Sequence, residues 1–135
     1  MAPYFTTLAS KDDYKTLITP ATGKVILVAF WPGDSTSEAM IAALKKLLPR
    51  STFAQHGIFD AYCFDVYSLP ELATDLDITF VPTLMWYQDG VQDALVWHQG
   101  VMVGGESVEK GVGRVVERIK GSNEVGLESD SDDDW

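Results

Sequence analysis

Cysteine is almost absent from this chain: Cys63 is the single thiol among 135 residues. That count excludes an internal disulfide framework, and it excludes a metal centre with two or more thiolate ligands. Long apolar runs are missing as well. The longest, Val25 to Trp31, has seven residues, far short of the ~20 that a helix needs to cross a bilayer. Positive charge is scarce, with 10 Lys and Arg against 20 Asp and Glu, for a formal charge of −10. Nucleic acid and anionic membrane are poor partners for such a chain, because both attract a cationic face. Met1 to Thr6 lacks the basic stretch and apolar core of a secretory leader, and it is not Arg-rich like a transit peptide. A cytoplasmic protein is the expectation.

What is present suits one ordinary domain, since 46% of residues are hydrophobic and 11% aromatic. The acids are unevenly spread. Glu124, Glu128, Asp130, Asp132, Asp133 and Asp134 crowd the last stretch without a base, so the remainder carries only about −4. Few apolar side chains accompany them, too few to offset an ordering cost of about 1–2 kcal/mol per residue. The chain is expected to divide into a folded domain over 1–120 and an acidic, disordered tail over 121–135.

Periodicity places the elements. Ser10 with Asp12 and Asp13 reads as a capped helix start, and Tyr14, Leu17 and Ile18 supply its apolar stripe. The run from Val25 to Trp31 reads as a strand buried on both faces. Met40, Ile41, Leu44, Leu47 and Leu48 trace a helical face that stops before Pro49. Phe59 to Val66 is a second buried strand, and Pro70-Glu71 opens a short helix. Ile78 to Tyr87 and Ala94 to Gln99 flank the turn pair Asp89-Gly90 as a hairpin. Val108, Val112, Val115, Val116 and Ile119 face one side of a last helix. With a possible first strand, the order is β–α–β–α–β–α–β–β–α, an α/β sandwich.

That order and four local matches resemble thioredoxin over roughly residues 5–120. Ile26 to Trp31 is similar to the family's central strand, and Met40-Ile41-Ala42 to its helix after the active site. Phe64-Asp65-Val66 with Leu69 to Ala73 is similar to its third strand and following helix, and Ile78 to Leu84 to the segment bearing a cis-proline at Pro82. The resemblance implies a thioredoxin fold, a central mixed β-sheet flanked by helices. It also places the family's Cys-Gly-Pro-Cys on Ser35-Thr36-Ser37-Glu38, with Ala29 where the family has a buried Asp and Asp34 where it has Trp. Disulfide exchange needs an attacking thiolate and a resolving thiol, and both are gone.

A redox-inactive thioredoxin-like binding or adaptor protein is therefore expected, with no catalytic residue, cofactor or metal. Its candidate peptide-binding residues are Asp34, Ser35, Val81 and Pro82, because Val81 can pair with an extended partner strand. Ser35-x-x-Glu38 reads as a capping box, and Cys63 as an apolar filler within its strand. The rivals are a thiol oxidoreductase using Cys63, a glutathione-dependent enzyme, and a structural subunit of a larger assembly. Partners are expected to be proteins, a second copy among them. In the tail, Ser129 and Ser131 each precede an acid by three residues, as acidophilic kinases prefer. Trp135 is a candidate anchor, and its acidic setting partly resembles the peptide that recruits clients to the cytosolic iron–sulfur targeting complex, which prefers an aliphatic residue where Asp133 stands.

Overall fold

In a computed structural model of the chain, residues 3–101 and 105–121 are described. Five strands form one sheet in the order β1-β3-β2-β4-β5. They are β1 (Thr6–Thr7), β2 (Lys24–Phe30), β3 (Ile58–Asp65), β4 (Thr83–Gln88) and β5 (Val91–Gln92). β1 and β2 run parallel to β3, whereas β4 is antiparallel to both β2 and β5. The sheet is therefore mixed. Four helices cover it: α1 (Lys11–Asp13, continued by a π turn over Tyr14–Ile18), α2 (Ser35–Leu47), α3 (Pro70–Asp75) and α4 (Val108–Gly121).

The alternation of β2 builds two cores. Ile26 and Val28 point to one face, where Met40 and Leu44 of α2 meet Val112, Val116 and Ile119 of α4. Val25, Leu27 and Ala29 point to the other, against Ile18 and against Leu72 of α3. Every residue from Lys24 to Ala29 is buried, as a central strand sandwiched between helix layers requires. Cys63 is buried within β3, its sulfur 3.6 Å from the Thr7 hydroxyl.

Three sequence expectations are corrected. Ser10 does cap α1, with a complete capping box to Asp13, but the helix passes into a π turn rather than continuing as α. Ala94 to Gln99 is not a continuous strand: β5 stops at Gln92, and the return to the sheet is a lone bridge between Trp97 and Leu84. Asp93 explains the break. Its carboxylate accepts the Leu95 N–H at 2.9 Å and two bonds from Arg118 of α4, a local turn that competes with the ladder. The third correction, at the start of α2, is given below. Residues 122–135, including Ser129, Ser131 and Trp135, lie outside the described residues.

Two close approaches fix the helices and the hairpin. Gly90 has φ +83° at the β4–β5 turn, and a Cβ there would fall 2.2 Å from the Thr19 carbonyl oxygen. Gly111 lets α4 settle on the buried Trp97, since a Cβ would lie 2.1 Å from the indole Nε1. At the N-terminal end of β2, Lys24 is 2% exposed, and its ammonium donates to the Ile119 carbonyl in the last turn of α4. No helix among the described residues is long and apolar enough to cross a membrane.

Candidate functional site

Strand direction brings the candidate residues together. β2 and β3 run parallel and β4 begins where they finish, so the register puts Ala29 beside both Phe64 and Thr83. One end of the sheet therefore gathers Trp31 to Asp34 after β2, Val66 and Tyr67 after β3, and Val81 and Pro82 before β4. The Val66 N–H donates to the Phe30 carbonyl at 3.1 Å, extending that alignment past the strand ends. In open α/β sheets the crevice beyond the carboxyl ends of parallel strands is where ligands bind.

The first turn of α2 differs from the expected Ser35–Glu38 capping box. Asp34 is the N-cap, and its carboxylate accepts the Ser37 N–H at 2.8 Å. Its carbonyl takes the Glu38 N–H at 3.0 Å, the first intrahelical bond. Ser35 thus becomes the first helical residue and is exposed, like Glu38. The physical reason is register: the turn at Pro32 and Gly33, with Gly33 at φ +86°, delivers Asp34 in extended geometry one residue before Ser35. Ser37 is the only buried member of the quartet, and its hydroxyl accepts the Trp31 N–H at 3.2 Å. Thr36 is half-buried.

Across the crevice, the Val81–Pro82 peptide bond is cis. Pro82 is buried and Val81 half-buried. Neither the N–H nor the carbonyl of Val81 has a hydrogen-bond partner among the described residues. The neighbouring Phe80 carbonyl is occupied by the Thr83 hydroxyl at 2.6 Å. Among the described residues, Val81 therefore offers one unpaired donor and one unpaired acceptor just before β4.

Two aromatic rings at this end were not singled out as functional from sequence. Trp31 is 46% exposed and Tyr67 67% exposed, and they meet edge to face with centroids 5.4 Å apart. Asp65 holds the tyrosine segment in place, its carboxylate accepting the Tyr67 N–H at 2.9 Å and the Ser68 hydroxyl at 3.1 Å. The signal available in sequence was position: Trp31 and Tyr67 each lie just beyond the C-terminal end of a buried strand. Trp86 and Trp97, by contrast, sit wholly in the core.

The lone thiol lies within β3, one residue before Phe64 and covered by Thr7 of β1. Burial pushes the Cys63 thiol above its ordinary pKa, opposed by the Thr7 hydroxyl and the charge of Lys45. Raised and buried, it lacks the acidified, accessible character of a reactive cysteine.

Solved structures with this arrangement include thioredoxins. A Fasciola hepatica thioredoxin superposes with a TM-score of 0.62 at 17% identity, covering 83% of this chain and 96% of that one. Mitochondrial thioredoxin 3 of Saccharomyces cerevisiae gives 0.62 at 18% identity, over 84% and 94% of the two chains. A Malassezia sympodialis thioredoxin gives 0.62 at 15%, over 89% and 96%. The fold is the thioredoxin fold. At these identities the likeness is one of architecture, and it covers nearly the whole of each thioredoxin. No family model matches the sequence. No curated protein matches it either. Within the thioredoxin fold, Ser35 and Glu38 stand at the head of the helix that follows the central strand.

Proposed function

We propose that this chain is a redox-inactive thioredoxin-fold protein that works by holding an extended segment of a partner protein. The observation that carries the reading is the pairing of two features at one end of the sheet. The head of α2 presents Ser35 and Glu38 instead of thiols, and the backbone N–H and carbonyl of Val81, just before β4, have no partner among the described residues. A hydroxyl and a carboxylate cannot form or exchange a disulfide. Free backbone groups beside an exposed aromatic pair can still add a strand from a partner, with main-chain bonds giving affinity and side-chain contacts giving selectivity.

Asp34 keeps a structural role here, as the cap that fixes the start of α2. Ser35 is exposed at the head of α2, and segment 31–38 supplies no His or Lys to activate it. Trp135 remains a proposed second anchor for a partner.

The test is turnover. Purified full-length chain with dithiothreitol is expected to reduce insulin no faster than a thiol-free control protein. Catalysed reduction that disappears in Cys63→Ser would overturn the reading in favour of a single-thiol oxidoreductase.

A further inference from the structure

Resting on the proposed reading of the crevice as a strand-binding site, we infer that its partner segment is basic, an extended stretch in which apolar residues alternate with arginine or lysine. Three chain segments follow or precede the strands at this end of the sheet and form its rim: 31–38 after β2, 65–71 from the last residue of β3, and 77–83 leading into β4. They contain Asp34, Glu38, Asp65, Glu71 and Asp77 and not one Lys, Arg or His. Lys11 of α1 is already paired with Asp75 at 2.7 Å. The basic residues of α2, Lys45 and Lys46, lie in its last turn, at the far end of the helix from Asp34.

The apolar floor of the rim fits the same occupant. Trp31 and Tyr67 present ring faces and edges to solvent in a fixed T-shaped arrangement, and a guanidinium over such a face is attracted by the ring quadrupole. A strand added at Val81 places its side chains alternately toward and away from the crevice. Apolar residues of that strand would meet the aromatic floor, and its basic ones the carboxylate rim. An acidic strand would bring like charge against five carboxylates, which selects against it.

The probes are three synthetic peptides of equal length in which Val and Ile alternate with Arg, with Gln or with Glu. Binding to the full chain is read from the NMR shift of the Trp31 indole N–H. The Arg peptide is expected to bind about tenfold more tightly than the Gln peptide, and to lose that advantage as salt rises from ~20 to ~300 mM. The variant Glu38→Gln/Glu71→Gln/Asp77→Asn removes three rim charges whose side chains hold no hydrogen bond among the described residues, so it is expected to fold and to bind the Arg and Gln peptides alike. A control of equal charge, Asp12→Asn/Glu109→Gln/Glu117→Gln, should keep the preference. Equal binding of the Arg and Gln peptides to the parent chain overturns the inference and leaves the strand-binding reading standing. Equal loss in the control variant overturns it too, by assigning the preference to overall charge. If no peptide shifts Trp31 at millimolar concentration, the strand-binding reading itself fails.

Discussion

The two ends of strand β2 are finished in opposite ways. At the N-terminal end Lys24 is sealed in, its ammonium bonded to the Ile119 carbonyl at the close of α4. Beside it Gly23 exchanges bonds with Asp89, the backbone pair at 2.9 Å and the carboxylate pair at 2.8 Å. At the C-terminal end Trp31 stands half in solvent, Ser35 is exposed, and the Val81 backbone groups have no partner among the described residues. One strand thus separates two tasks. The closed end is sealed by buried and backbone bonds, and the open end presents exposed side chains that are expected to contribute less to stability.

The separation can be broken from the closed end first. Gly90→Val forces a branched side chain into φ +83° and against the Thr19 carbonyl, and it should destabilise the chain by about 3–4 kcal/mol, read by urea unfolding. Lys24→Ala removes the ammonium and strands the Ile119 carbonyl in the core, for an expected loss of about 2–3 kcal/mol. At the open end, Asp34→Ala should cost about 1 kcal/mol as a lost N-cap. Ser35→Ala should cost under ~0.5 kcal/mol. The reverse ranking would restore the capping box to Ser35.

Acid sharpens the contrast more gently. Burial raises the Asp93 pKa, but the Arg118 hydrogen bond, the Leu95 N–H and the Arg118 charge outweigh it and hold the carboxyl below its ordinary value. A depressed carboxyl contributes stability that is fully present above its unfolded pKa and is lost as pH falls through the folded one. Asp93→Asn should therefore lower stability near neutrality by about 0.5–1 kcal/mol and converge with the parent chain in acid. A small effect is also expected for Trp31→Ala with Tyr67→Ala, a shift in stability of about 1 kcal/mol or less, with loss of the proposed peptide binding. A large drop in melting temperature would show that the rings hold the fold.

How much was legible in sequence follows the same divide. β2, β3 and the faces of α2 and α4 stood out because burial on both sides leaves continuous apolar runs or clean helical stripes. The head of α2 did not, because Asp34 and Ser35 are both good caps and adjacent. Only the incoming turn at Pro32 and Gly33 decides between them. The break after β5 was hidden for a different reason: Ala94 to Gln99 looks like a strand until Arg118, 25 residues away, captures Asp93. For the crevice, Val81 and Ser35 were named from the resemblance. The Trp31–Tyr67 pair depends on two strands ending side by side, a fact of tertiary register that no local pattern carries.

Cys63 offers one consequence of its burial that concerns measurement. A solvent-borne alkylating reagent can reach its sulfur only when the chain opens, so the rate of modification is a clock for that opening under native conditions. Thr7 of β1 covers the sulfur, and the short β1 pairs with β3 at Thr6 and Thr7, with the following Leu8 N–H bonded to the Cys63 carbonyl at 2.9 Å. Modification faster than global unfolding would time the peeling of that first strand, and modification at the unfolding rate would show that the strand leaves only with the rest of the sheet.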